Sequence, residues 1–317
     1  MGIIMHLGFD RLDYPGDAVM QSMWNSTPMA FAGMYLAPAP SQPNTSWMSK
    51  VATLRGMGWG LAPLYVGQQA PGGPGSHTLT AAQGAADALD AAALAQSAGL
   101  EPGSVVYLDI EIGGTLAADH LAYVAAWVNG MQFPAFRAGV YCSFSDTAQQ
   151  VVTTVGDIPV WTFHLIDTGP SQIDLSTETA RDPAGSGFGA ALAWQYRQSM
   201  NGPITLHWDD SGTPGQLVQV DMDTAVCLDP SNPVFPAPVV DSVSPDPATP
   251  GQSVTLSGSE FDGADNVAFA GASAANIVVT SDTQLDAEVP FGVSGQVDVV
   301  VGNRWGNQSS PAALTVV

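Results

Sequence analysis

The strongest constraint on this chain is a change of texture near residue 229. Before it, strand-length apolar runs alternate with helix-length segments. The strand-like runs are 3–10, 31–37, 60–67, 105–111, 137–143, 159–165, 191–196 and 217–225, and the helix-like ones are 17–26, 46–57, 78–98, 117–131 and 145–155. Parallel strands need a long crossover, usually a helix, so the alternation predicts parallel strands with helices outside. Eight strands over about 230 residues fit an α/β, TIM-like (β/α) barrel better than an open sheet. The alanine-rich 81–98 is the strongest helix by propensity, with Thr78 or Thr80 as its cap. Segment 165–225 has strands but little helical signal. The barrel is therefore expected to be irregular in its last third, with long loops.

The stretch Asp229–Pro238 holds four prolines in ten residues, which neither a helix nor a central strand sustains. Beyond it, β-rich runs at 239–243, 253–257, 266–269, 276–279, 284–289, 296–301 and 314–317 are punctuated by Gly, Asn, Asp and Pro. Their regular spacing predicts an antiparallel, immunoglobulin-like β-sandwich. The expected organisation is a barrel at 1–229, a linker at 230–237 and a sandwich at 238–317.

Charge narrows the function. Acids number 29 and Lys plus Arg 7, with Lys50 the single lysine, for a net −22. Nucleic-acid binding needs cations to neutralise phosphates, so it is excluded as an expectation, as is adhesion to anionic lipid. A neutral substrate suits this surface better than a polyanion. No apolar run is long enough to span a membrane. Met1–His6 lacks the basic region and cleavage site of a signal peptide and reads as a first strand. Cys142 and Cys227 read as two buried thiols, with a single disulfide as the alternative.

Barrel enzymes carry their chemistry at the C-terminal ends of the strands. Three apolar runs end in acids: Asp10 on the first, Asp109 and Glu111 on the fourth, Asp221 and Asp223 on the last. All three are expected to point the same way. Asp109 and Glu111, two apart, share one face of a strand. Like charges that close push one pKa up, giving a general acid beside an ionised carboxylate, as glycoside hydrolysis requires. The bland alternative is loop solvation or helix capping. A hard cation held by the acids is a further alternative, but no histidine stands beside them and neither metal nor cofactor is expected.

Aromatics gather on the same runs. Tyr35, Tyr65, Tyr141, Trp161, Trp194 and Tyr196 are candidate sugar platforms, with barrel filling as the alternative. Trp194-Gln195-Tyr196 offers a flat face, an amide and a hydroxyl, and Tyr141 and Gln195 are the better candidates for polar roles. Gly72-Gly73-Pro74-Gly75 reads as a flexible loop over the barrel mouth, able to act as a lid.

Gly8-Phe9-Asp10, Tyr107-Leu108-Asp109-Ile110-Glu111, Gly139-Val140-Tyr141, Ala193-Trp194-Gln195-Tyr196 and Val220-Asp221-Met222-Asp223, in that order, resemble glycoside hydrolase family 25 muramidases. They more closely resemble the related glycoside-hydrolase-like domain of unknown function 1906, the Rv2525c-like family, over about residues 5–228. The muramidase resemblance implies cleavage between N-acetylmuramic acid and N-acetylglucosamine in peptidoglycan. It implies Glu111 as general acid, with Asp109 stabilising the oxocarbenium-like state or orienting the substrate's acetamido group. It also implies Asp10 and Asp221 as groups that tune Glu111 and hold sugar hydroxyls. Asp223 falls where those muramidases often carry Asn. Residues 238–317, through Val243–Gly251 and Val254–Phe261, resemble an IPT/TIG domain, which implies binding or spacing.

Three readings follow. The chain is a glycosidase acting on cell-wall or related bacterial polysaccharide, a catalytically silent glycan-binding protein, or a structural component of a phage or injection particle. The expected partner is a polysaccharide, with a protein or glycan partner for the sandwich. The expected place of action is the cell wall or outside the cell.

Overall fold

The structure, a computed structural model, describes residues 5–131, 136–167, 172–175, 177–198, 204–210, 213–233, 237–261, 264–281, 283–303 and 307–317. It divides into two compact units, Met5–Pro233 and a second whose described residues are 237–317.

The first unit runs β1 (His6–Asp10), α1 (Asp17–Ser26), β2 (Met29–Tyr35), α2 (Val51–Met57), β3 (Gly60–Tyr65), α3 (Ala81–Ala98), β4 (Val105–Asp109), α4 (Ala118–Met131), β5 (Arg137–Ser143), α5 (Asp146–Val155), β6 (Val160–Asp167), β7 (Gln172–Asp174), β8 (Ala193–Arg197), β9 (Ile204–Asp210) and β10 (Thr213–Ala225). Strands β1-β2-β3-β4-β5-β6-β8-β10 form an eight-stranded barrel closed by β1–β10 pairing, and β9 and β7 continue the sheet outward from β10. Thr80 caps α3 by accepting from the Gln83 N–H at 3.1 Å. Both cysteines are free and buried.

One sequence expectation fails here. β10 runs antiparallel to both β1 and β8, so its acids do not end a strand pointing the same way as β1 and β4. Parallel strands need a crossover, whereas antiparallel ones do not. Among the described residues after β6, the 3-10 turn Pro183–Ser186 lies between the parallel strands β6 and β8, and no helix lies between β8 and β10. The reversal still brings the acids level: Asp221 pairs with Asp10 and Asp223 with Gly8.

The barrel interior is filled by rings seated on glycines. A Cβ at Gly8 would meet the Phe31 ring at 2.3 Å, one at Gly139 the Tyr107 ring at 2.8 Å, and one at Gly33 the Trp161 ring at 2.9 Å. These glycines make room for rings from other strands rather than supply backbone freedom. Outward-facing Leu61, Tyr65, Val106, Leu108 and Val140 join the buried faces of α3 and α4 in one apolar core.

The proline-rich stretch starts inside this unit. Tyr107 Oη donates to the Pro230 carbonyl at 2.8 Å, Val105 N to the Ser231 carbonyl at 2.6 Å, and Ser231 N to the Leu61 carbonyl at 2.6 Å. Arg55 pairs with Asp229 at 2.6 Å. Residues 234–236 of the expected linker lie outside the described residues.

The second unit holds β11 (Val239–Ser244), β12 (Ser253–Ser259), β13 (Ala264–Phe269), β14 (Ala272–Ser273), β15 (Ile277–Ser281), β16 (Gln284–Glu288), β17 (Gly295–Asn303) and β18 (Ala312–Val316). They form two antiparallel sheets, β11-β12-β16-β15 and β14-β13-β17-β18. Alternate residues such as Val254, Leu256, Phe269, Leu285, Val299, Val301 and Leu314 make its core, the pattern of an immunoglobulin-like sandwich. No described helix is long and apolar enough to cross a membrane.

Candidate functional site

Strand periodicity chooses which side chains enter the barrel. β1 turns Asp10 inward, β2 Gly33 and Tyr35, β4 Asp109, β5 Tyr141, β6 Trp161, β8 Gln195, and β10 Asp223. Their contacts form one network. Asp10 accepts from Tyr35 Oη on Oδ1 at 2.9 Å and from Gln195 Nε2 on Oδ2 at 3.1 Å. Tyr141 Oη donates to Gln195 Oε1 at 2.7 Å, orienting that amide. Trp161 Nε1 donates to Asp223 Oδ1 at 3.1 Å.

Five carboxyls share this region, and desolvation raises all of them. Burial pushes Asp10 up to about 6, restrained by the bonds from Tyr35 and Gln195. Burial, then the charges of Asp10 and Asp221, hold Asp223 well above the carboxylate range, so it keeps its proton and donates it to Asp10. Burial and the Asp10 charge push Asp221, at the margin of the site, up to about 8. Burial, then the Glu111 and Asp10 charges, raise Asp109 well above its ordinary value. Asp109 hydrogen-bonds Glu111, which is raised by the surrounding protein and lowered by that bond. Glu111 is exposed, and solvent moderates its shift. Asp109 and Glu111 therefore titrate as a proton-sharing pair, the buried member holding the proton.

The pair opens on a cavity of about 560 Å³. Its floor is Asp109, Glu111, Tyr35 and Gln69; its rim carries Leu12, Ile112, Pro71 and Pro74. Gln69 clamps the pair through the backbone. Its Nε2 donates to the Asp109 carbonyl at 2.9 Å, and its Oε1 accepts from Glu111 N at 3.3 Å. The Gly72–Gly75 loop borders the cavity and is tied down: Gln69 N donates to the Ser76 carbonyl at 2.7 Å and Ser76 N to Ser41 Oγ at 3.0 Å. Among the described residues, no three His, Cys, Asp or Glu side chains are grouped to hold a metal ion.

The structure brings Asp10, Asp109, Glu111, Tyr35, Tyr141, Gln195, Asp221 and Asp223 into or beside this network. Several expected sugar contacts lie elsewhere. Tyr65 faces the helix layer, donating to Asp90 Oδ2 at 2.9 Å and stacking on Trp127. Trp194 and Tyr196 flank inward-facing Gln195, so alternation turns both outward. Trp194 Nε1 donates to the His164 carbonyl, and Tyr196 Oη to Glu178 Oε1 beneath the Arg181 guanidinium. Three consecutive strand residues cannot present one surface. Trp161 and Asp223 are both 0% exposed, so neither reaches a ligand directly; Trp161 positions Asp223 instead. Gln69, Gln42 and Ser41 went unnoticed in the sequence. Their one signal is position, shortly after the C-terminal ends of β2 and β3.

The Rv2525c-like, glycoside hydrolase-like domain matches residues 22–221, well over half of the chain, and the IPT/TIG domain matches residues 238–316. No curated protein matches. An uncharacterised B. stearothermophilus protein of known structure is 19% identical, covering 69% of this chain and 95% of its own, with a TM-score of 0.46. The Tat-secreted protein Rv2525c of Mycobacterium tuberculosis is 13% identical, covering 72% and 97%, with a TM-score of 0.45. The catalytic domain of endolysin ply40, from bacteriophage P40 of Listeria monocytogenes, is 14% identical, covering 71% and 95%, with a TM-score of 0.42. By the family match over its barrel, this chain belongs to the Rv2525c-like, glycoside hydrolase-like family, and an IPT/TIG domain follows in the same chain.

Proposed function

We propose that the barrel hydrolyses glycosidic bonds of peptidoglycan or a related bacterial polysaccharide, acting at the cell wall or outside the cell. The observation that carries this reading is the Asp109–Glu111 pair, which shares a proton at the floor of an open cavity. Glu111, the exposed member, is the group that reaches a glycosidic oxygen. A sugar seated over it displaces water, and desolvation favours the protonated form. The proton that Asp109 shares then moves toward Glu111, which delivers it to the leaving oxygen. Asp109, once ionised, faces the developing positive charge of the sugar ring. Asp10, held by Tyr35 and Gln195, adds negative potential. The sandwich serves as a holder for glycan or a protein partner.

The test is incubation of the protein and its Glu111→Gln variant with purified peptidoglycan, reading new reducing ends and soluble muropeptides by mass spectrometry. Release by the parent alone is expected. Equal release by a folded Glu111→Gln variant would refute the assignment. A second reading, a catalytically silent glycan binder, is favoured by one feature: burial and the Glu111 charge raise Asp109 well above its ordinary value, while the bond from Asp109 lowers Glu111 and so opposes protonation of the exposed group that must act as acid. Saturable binding with no product from either protein is its expected signature.

A further inference from the structure

The cavity over Asp109 and Glu111 is rich in acceptors and poor in donors. Tyr35 spends its hydroxyl proton on Asp10, Gln69 spends an amide hydrogen on the Asp109 carbonyl, and Ser41 gives its hydroxyl to the Gly67 carbonyl at 2.7 Å. The Gln42 amide and the second amide hydrogen of Gln69 are the side-chain donors still on offer, and the Gln42 oxygen accepts from Asn44 N. On the acceptor side, Asp109 is among the residues that line the cavity, and its buried Oδ1 has no hydrogen-bond donor. The Glu111 carboxylate stands beside it. No Lys, Arg or His is among the described residues lining the cavity. The exposed Glu111 carboxylate is the acceptor a ligand meets, and a ligand that brings N–H groups matches it.

We propose that this cavity selects a glycan whose seated sugar carries a free amine in place of an acetamide: a de-N-acetylated amino sugar. The inference rests on the glycan reading of the site given above. An ammonium offers three donors, needs no acceptor and carries the charge that the cavity lacks. Its attraction to a carboxylate in a partly closed cavity exceeds that in bulk water. An acetamide brings a single N–H, no charge, and an oxygen that needs one of the few donors in the lining. A uronate brings a further anion to a group of five carboxyls. The rim residues Leu12, Ile112 and Pro71 suit the C–H faces of a pyranose, which separates a saccharide from a simple linear amine.

The test is calorimetric binding of three trisaccharides, of glucosamine, N-acetylglucosamine and galacturonic acid, to the full chain at roughly pH 6 and physiological salt. Binding is also measured to Glu111→Gln and to Glu101→Gln. Glu101 is an exposed acid preceding β4, at the other end of the barrel. The glucosamine trimer is expected to bind about tenfold tighter than the acetylated trimer, and the uronate not at all. Glu111→Gln should erase the advantage, and Glu101→Gln should keep it. Equal or tighter binding of the acetylated trimer would overturn the inference while leaving the glycan site standing. An advantage that survives Glu111→Gln would assign the attraction to the net −22 charge of the chain and overturn it too. Binding of none of the three would overturn the glycan reading itself.

Discussion

Asp223 offers a stability measurement that isolates the buried acid network. It is 0% exposed, accepts from Trp161 Nε1 on Oδ1, and leaves Oδ2 without a donor while its carboxyl faces Asp10. Its folded-state pKa lies well above the ordinary 3.8. Above that ordinary value the unfolded chain has lost the proton and the folded chain still holds it. The slope of unfolding free energy with pH is then negative, about −1.4 kcal/mol per pH unit for one retained proton. Asp223 accordingly removes stability as pH rises from about 4 toward its folded-state pKa, by up to about 1.4 kcal/mol per pH unit. Asp223→Asn keeps the shape, keeps an oxygen for Trp161 and supplies a permanent N–H to Asp10, but cannot titrate. Urea unfolding followed by tryptophan fluorescence at pH 5, 6 and 7 measures the effect. The stability of the variant relative to the parent should rise with pH across this range, by up to about 1.4 kcal/mol per pH unit. Parallel pH profiles for the two proteins would refute the claim that Asp223 is a proton-holding group.

Further outcomes follow from the same geometry. In Gly33→Ala, the new methyl meets Asp10 Cβ at 2.5 Å and Trp161 Cη2 at 2.9 Å. A loss of about 1–3 kcal/mol is expected in thermal unfolding, and an unchanged Tm would contradict the close-approach role of this glycine. Tyr65→Phe should cost about 1 kcal/mol, from the lost bond to Asp90, and leave glycan binding unchanged. Tyr35→Phe should raise the Asp10 pKa above about 6, because a donor to its ionised form is gone, and weaken glycan binding. Carboxyl-resolved NMR titration reads the first effect and calorimetry the second.

Much of the site was legible because strand chemistry is local. An acid after an apolar run marks a strand end, and Asp10, Asp109 and Glu111 follow from that rule alone. Aromatic residues are harder to place, because large rings fill barrels as readily as they line clefts. Tyr65 and Trp161 illustrate the two misplacements, one facing the helices and one sealed inside. Trp194 and Tyr196 were excludable in principle: once Gln195 points inward, period-two alternation sends both neighbours out.

The alternation of barrel strands with crossover helices, the closing of a barrel and the following sandwich were encoded in hydrophobic periodicity and in where glycine and proline fall, whereas β7 and β9 were not. Those signals act over a few residues, so the linear chain carries them in full. The direction of β10, the pairing of Asp221 with Asp10 and the clamp of Gln69 on the Asp109–Glu111 backbone are of another kind. Each depends on residues 40 to more than 200 positions apart meeting at one depth in a closed sheet, and the same closure buries Asp10, Asp109 and Asp223 and raises all three above their ordinary value.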